Sequence, residues 1–312
     1  MRHLDPMDCL PIVWSPLYEV DIGPHVFPTR KYRLVRDLLL RDDVVDESCF
    51  VPPEPASWDE LARVHTREYL RKIQQDDLSP LERLTLEVPF SAALREASIL
   101  CCGGTLMTGR LALEDGVAVH LGGGFHHAFA DHGEGFCLLN DVAVAAKGVL
   151  EEGLATRVAI VDLDVHHGNG TAHIFADDER VFTFSMHEEA NYPAVKPPSD
   201  LDVGLPGGTR DTTYLGLIEE HLPRVLERSR PDLVIYLAGA DPYREDQLGG
   251  LGLSLDGMRQ RDALVFGMCA QRGVPVGAVL AGGYAFRQSD TVRIHAATVE
   301  ETARIHSGSG SP

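Results

Sequence analysis

Five short apolar runs, at residues 117–121, 158–163, 181–185, 232–238 and 275–281, alternate with helical stretches near 139–152, 211–229, 255–272 and 290–305. Strands that are apolar on both faces must be covered on both faces, so this alternation predicts an α/β fold with a mostly parallel sheet between helices. Upstream, residues 11–22 read as a first strand that loosens around Pro16, and helices are predicted over 31–41, 58–75 and 91–114, the last capped by Ser91. Gly103-Gly104 inside that helix marks a kink or a close helix contact, and Gly273 sits where a left-handed cap would end the helix before the last run. No Pro- or Ser-rich linker and no internal repeat divides the chain, so residues 1–306 are expected to form a single domain. Residues 307–312, Ser-Gly-Ser-Gly-Ser-Pro, are expected to be a flexible tail.

In open parallel sheets ligands bind beyond the carboxyl ends of the strands, and those ends carry this chain's polar chemistry. The run at 117–121 leads into Gly122-Gly123-Gly124-Phe125-His126-His127, and the run at 158–163 into Asp162, Asp164, His166 and His167. Later runs end in Ala238-Gly239-Ala240-Asp241 and Gly282-Gly283-Tyr284. Alternation along a strand puts Asp162, Asp164 and His166 on one side. Converging carboxylates and imidazole are costly to bury without a partner, and a divalent metal is the simplest one. Asp164, His166 and Asp241 supply three ligands and leave a position open for water and substrate. Such an ion polarises a carbonyl and lowers the pKa of its water towards ~7. His126 and His127 then supply a base for that water and an acid for a leaving amine. Tyr284 can donate to the developing oxyanion, Asp162 and Asn169 can orient the two imidazoles, and Phe136 can wall the site. Singly these residues have bland readings: a helix cap for Asp241, a hydrogen-bonded core tyrosine for Tyr284, plain core for Phe136. Together they favour metal-dependent hydrolysis. His65, His120, His173 and His295 lie on apolar or helical stretches and read as structural.

The net charge of −19 argues against nucleic acid as direct ligand and suits a cationic partner, although acidity also serves solubility alone. The six cysteines form no C-x-x-C pair or disulfide ladder, which fits mostly buried thiols in a reducing compartment. The first residues lack the layout of a signal peptide, and no apolar run reaches the ~18 residues of a membrane span. A cytoplasmic protein is expected.

Gly122–Ala128, Gly135-Phe-Cys-Leu-Leu-Asn-Asp141, Val161–Thr171, Ala238–Asp241 and Ala281–Tyr284 together resemble the zinc-dependent histone deacetylase family, over residues 12 to 305. Glu87–Ser91, Asp246–Ser254 and Arg261–Phe266 look most like its class IV branch. The resemblance implies an arginase-type fold with an eight-stranded sheet and hydrolysis of N-ε-acyl-lysine. It implies Asp164, His166 and Asp241 as metal ligands, His127 as general base and acid, His126 as its electrostatic partner, and Tyr284 as the group that polarises the carbonyl. Potassium is implied beside the metal, at Asp162, Asp164, His166, Ser185 and Met186. Gly135, Phe136 and Tyr192 are the expected substrate contacts, with Tyr192 as the second wall of the acyl-lysine tunnel. Asn169 stands where many members have Asp, and a neutral partner would make His127 less basic. The rim aspartate that grips the substrate backbone in some branches has no convincing counterpart.

Alternatives stay open at this point. An acetylpolyamine amidohydrolase would suit the acidic charge equally well. A two-manganese ureohydrolase is disfavoured by the single complete ligand set, and a non-enzymatic acyl-lysine reader by the presence of base, ligands and tyrosine together. An Asp/His/Asp site accommodates zinc or iron(II). Acyl length, oligomeric state and the relevance of histones are not legible, and the class IV resemblance admits a defatty-acylase acting on long fatty acyl groups as well as a deacetylase.

Overall fold

The structure is a computed structural model that describes residues 9–308. The N-terminal Met-Arg-His-Leu-Asp-Pro and the tail from residue 309 lie outside the described residues. Eight strands form one sheet: β1 (Ile12–Val13), β2 (Phe50–Val51), β3 (Val117–His120), β4 (Val158–Asp162), β5 (Val181–Glu188), β6 (Leu201–Leu205), β7 (Leu233–Leu237) and β8 (Val276–Val279). Their order is β2-β1-β3-β8-β7-β4-β5-β6, and each neighbouring pair is parallel. The helices are α1 (Lys31–Arg41), α2 (Trp58–Leu61), α3 (Arg67–Gln75), α4 (Pro80–Leu86), α5 (Ala92–Asp115), α6 (Asp141–Glu151), α7 (Asn169–Phe175), α8 (Asp211–Ser229), α9 (Leu255–Ala270) and α10 (Gln288–His306).

The central strands are apolar throughout because each face has its own core. Val158, Ile160, Leu233 and Ile235 pack with Leu106 of α5 and Val142 and Val149 of α6. The alternate residues Ala159, Val161, Val234 and Tyr236 join the cluster containing Ile218, Leu222, Val265 and Val299 of α8, α9 and α10. The predicted parallel α/β sandwich is therefore the observed architecture.

Local departures have local causes. The stretch 58–75 is two helices, not one. Ser57 and Thr66 each act as an N-cap, and the turn between lets His65 reach inward, its Nδ1 on the Phe129 carbonyl at 3.0 Å. Helical spacing of the buried residues persists across the break, because Leu61, Tyr69 and Ile73 all face the same core. The first strand is only Ile12–Val13, followed by a 3-10 turn at Pro16–Tyr18. Gly103-Gly104 is a close contact and not a break, since α5 runs on unbroken. A Cβ on Gly104 would lie 2.5 Å from the Tyr18 hydroxyl and 2.6 Å from His120 Nε2.

The expectation of free thiols fails at one pair: Cys9 and Cys49 are disulfide-bonded, with Cα atoms 5.4 Å apart. Forty residues separate them, so no spacing motif announced the bond; the parallel pairing of β1 with β2 brings them together. Cys101, Cys102, Cys137 and Cys269 are buried thiols.

Candidate active site

The strand ends converge as the register requires. Asp162 is the last residue of β4 and pairs with Ser185 of β5 and Leu237 of β7, so the segments 163–168 and 238–241 leave the sheet side by side. Asp164 and His166 thus lie just beyond the strand. One ligand atom each from Asp164, His166 and Asp241 lies within 4.8 Å of the others, and all three residues are buried. His166 Nδ1 is 3.0 Å from Asp164 Oδ1 and 3.4 Å from Asp241 Oδ2. The second oxygens are held by backbone: Gly282 N–H donates to Asp164 Oδ2 at 2.8 Å and Val165 N–H to Asp241 Oδ1 at 2.9 Å. Gly282 has to lack a side chain, because a Cβ there would collide with the Asp241 carboxylate.

These donors fit a divalent cation. Asp241 Oδ2 is buried and has no hydrogen-bond partner, a state that costs free energy unless a cation meets it. Burial and the adjacent Asp164 push Asp241 up. Burial alone would lower His166, but Asp164 and Asp241 raise it to about 10. The carboxylates therefore demand positive charge at this point. A metal ion satisfies the same demand and frees the imidazole to ligate.

His126 and His127 follow the glycine turn, with His126 Nε2 3.2 Å from His127 Nε2. Asp141, at the start of α6, fastens that turn by accepting the amides of Gly124 at 3.0 Å and Phe125 at 2.7 Å. His126 Nδ1 donates to Asp162 Oδ2 at 2.6 Å. Burial opposes its protonation, but Asp162 and Asp164 outweigh burial and raise it to about 9. His127 is the opposite case: burial, then the neighbouring His126 and His166, push it well below the usual imidazole value. Its Nδ1 meets Asn169 Oδ1 at 2.7 Å, and Asn169 Nδ2 donates to Glu134 Oε1 at 2.7 Å. With the amide nitrogen committed to Glu134, the amide oxygen must face His127, so Nδ1 carries the proton and Nε2 is the free base. Tyr284 is buried beside His166, with ring centroids 6.4 Å apart. Burial, then Asp241 and Asp164, hold its phenol well above the usual value, so it is a protonated donor.

Phe136, His166, Tyr192 and Tyr284 line a pocket of about 170 Å³ together with Glu87, His127, Gly135, Asn191 and Leu248. Tyr192 stands edge-on to His127 at 4.9 Å, and its hydroxyl donates to Glu134 at 2.9 Å. Deeper in, a space of about 20 Å³ is bounded by Phe27, Tyr32, Gly124, Phe125 and Phe136 among others. Ser185 and Met186 are buried, with Ser185 beside Asp162 in the register. The structure thus brings Asp164, His166, Asp241, His126, His127, Asp162, Asn169, Phe136, Tyr192 and Tyr284 together in one place.

Sequence reasoning missed four contributors. Glu134 ties Asn169 to Tyr192. Lys31 is fully buried behind Tyr284, with Nζ on the Ala281 carbonyl at 2.6 Å, and burial lowers it to about 8 against the pull of Asp241, Asp164 and Asp246. Asp246 accepts the Tyr284 amide at 2.6 Å. Arg261 donates to the carbonyls of Gly239 at 2.5 Å and Leu163 at 3.5 Å, one beside each ligand segment. Of the histidines read as structural, His65 and His120 are buried and hydrogen-bonded, and His295 is buried beside Gly283.

The fold and site define a buried, metal-binding, deacetylase-type centre. A family model described as "Histone deacetylase domain" matches residues 25–301. An uncharacterised protein of Picosynechococcus sp. is 44% identical over 91% of this chain and 95% of its own length. Histone deacetylase 2 of Arabidopsis thaliana is 31% identical, over 96% of this chain and 80% of its own. A solved structure of a histone deacetylase homolog complexed with SAHA shares the fold, with TM-score 0.78 and 24% identity over 96% of this chain and 84% of that one. The chain belongs to the histone deacetylase family.

Proposed function

We propose that this protein hydrolyses the amide of N-ε-acyl-lysine, as a deacetylase or defatty-acylase, in a class IV-like branch of its family. The observation that carries the reading is His127, whose unprotonated Nε2 lies in a buried site with the Asp164/His166/Asp241 cluster and the Tyr284 hydroxyl. The ion proposed is zinc, with iron(II) as the other occupant an Asp/His/Asp set accepts. When bound, it polarises the scissile carbonyl and acidifies the attacking water. Potassium is proposed at Asp162, Asp164, His166, Ser185 and Met186, where two buried carboxylates lie close together.

The chain's own residues would do the rest. Phe136 and Tyr192 flank the lysine stem, and Gly135 lets them approach. His127 Nε2 takes the proton from water and returns it to the leaving amine, while Nδ1–H stays on Asn169. His126, held charged by Asp162, stabilises the negative charge that develops. Tyr284 donates to the carbonyl oxygen as it becomes an oxyanion. The inner space of about 20 Å³ is lined by His126, His127, Asp164, His166 and Tyr284, so it is where the ion and the attacking water would sit. Residues 1–306 are proposed as one catalytic domain working in the cytoplasm.

A second reading has one observation in its favour: Glu87 lines the mouth of the pocket, where a carboxylate suits the distal ammonium of an acetylpolyamine. Zinc-loaded protein is to be assayed on one lysine peptide carrying acetyl or myristoyl, and on N-acetylputrescine. Faster release from the acetyl peptide supports the proposal. Faster myristoyl release supports the same reaction with a defatty-acylase's preference, and acetylputrescine preference overturns the peptide substrate.

A further inference from the structure

Two histidines outside the catalytic centre, His167 and His187, are packed against each other, unlike His65. His65 has both ring nitrogens satisfied by backbone, Nδ1 on the Phe129 carbonyl and Nε2 on the Asn140 amide. His167 and His187 are equally buried, at 0% and 3% exposure, yet their rings face each other edge-on with centroids 4.7 Å apart. His167 Nδ1 has no hydrogen-bond partner. His187 Nδ1 is on Ser185 Oγ at 2.9 Å, which leaves Nε2 for another partner.

Asp202 completes the group. The β5–β6 register sets Asp202 opposite Ser185, so Ser185, His187 and Asp202 share one face of the sheet. Asp202 Oδ1 lies 3.2 Å from His167 Nε2, and one ligand atom from each of His167, His187 and Asp202 falls within 4.8 Å of the others. Ligand atoms on a tetrahedral zinc ion, each about 2.0–2.2 Å from it, lie about 3.2–3.5 Å apart. The catalytic cluster shows the same spacing, at 3.0 and 3.4 Å.

We infer that His167, His187 and Asp202 bind a second divalent transition-metal ion at the sheet edge, separate from the catalytic one. Two imidazoles and one carboxylate select zinc, cobalt or nickel over magnesium or calcium, which prefer all-oxygen sites. The ion has a way in, because the Asp202 side chain is 31% exposed on the edge strand. Ser199 holds Asp202 through its amide at 2.8 Å and brings its hydroxyl to 3.4 Å from His167 Nε2, beside the position left for a fourth ligand. His167 directly follows His166 in the chain, so the two sites lie on adjacent residues.

The test is a count of ions per chain. Full-length protein is stripped by chelation, dialysed against cobalt(II) or zinc, and analysed for bound metal beside the surface variant Asp202→Asn and the buried variant His187→Gln. The expected result is two ions in the wild type and one in each variant, with second-ion affinity down at least about tenfold in Asp202→Asn. Hydrolysis by that variant with its single ion should match the wild type. One ion in the wild type and none in Asp202→Asn would still place an ion here, while faulting the catalytic cluster. A wild type that binds no ion, or an ion count that Asp202→Asn leaves unchanged, overturns the inference.

Discussion

Tyr284 enters the site from the loop after β8, with its amide fixed by Asp246 and its phenol kept protonated by burial beside two carboxylates. If it stabilises charge only as the oxyanion forms, Tyr284→Phe should lower kcat by roughly 10²–10³ and leave KM nearly unchanged. Steady-state kinetics on an acetyl-lysine peptide would show this, and unchanged turnover would remove the role. A second prediction concerns Asn169 and Glu134. The negative charge that an aspartate would put on His127 sits here one residue further out, behind a neutral amide. Asn169→Asp alone sets two carboxylates within hydrogen-bond distance, and Glu134→Ala alone frees the amide to turn its donor towards His127 Nδ1. Each should cost about tenfold in kcat/KM, and the double variant should recover most of it, because paired groups do not add. Additive losses would mean that Glu134 acts only on the loop. Asp164, His166 and the His126-His127 pair were legible because each group is contiguous and falls at a strand end. Glu134 and Lys31 were not. Glu134 is one acidic residue in a loop, and Lys31 matters through a carbonyl 250 residues away.

Among the elements, α9 does more than cover the sheet. It carries Arg261 and Asp262, both fully buried, and the guanidinium holds carbonyls of both segments that leave β4 and β7 for the metal ligands. Arg261→Met would leave the Asp262 carboxylate hydrogen-bonded to Tyr236 and Thr298 but without its compensating charge, so the expected loss is roughly 3–5 kcal/mol in denaturant unfolding. Replacing Arg261 and Asp262 together by apolar residues should recover much of that loss, and a single-variant loss below about 1 kcal/mol would contradict the account. Sequence periodicity found the strands and helices that bury a full face: β3, β4, β5, β7 and β8, and the long helices. It missed β2, β6, α4 and α7. Strands of two residues leave no alternation to read, β6 is an edge with exposed Asp202 and Gly204, and α4 is seven residues long with exposed Leu81 and Leu84.

At the scale of the whole molecule, neutral buried histidines tie stability to pH. His65 accepts the Asn140 amide on Nε2 and donates from Nδ1, so a second proton has no place, and burial lowers it to about 4. His120, between Thr105 and the Tyr18 hydroxyl, is lowered by burial to about 3. The unfolded chain binds protons near pH 6.5 where the folded one does not, so this stability is complete above about 6.5 and is lost as pH falls through about 4. The His65 share is about 3 kcal/mol, from some 2.5 pKa units at 1.36 kcal/mol each. Unfolding free energy measured from pH 7 to 4 should fall steeply, and His65→Gln should flatten that slope; an unchanged slope would mean that His65 is protonated in the fold. The parallel sheet between two helical layers was legible as a whole, because apolar runs alternating with helices admit few other folds. Substrate choice was not, since it rests on the shape of a pocket built from widely separated segments of the chain. The central claim is metal-dependent amide hydrolysis at the Asp164/His166/Asp241 cluster. Its most direct test is acetyl-lysine peptide turnover by the full-length protein before chelation, after chelation, and after zinc is restored. The account predicts turnover that disappears with the metal and returns with it; full turnover by metal-free protein would contradict it.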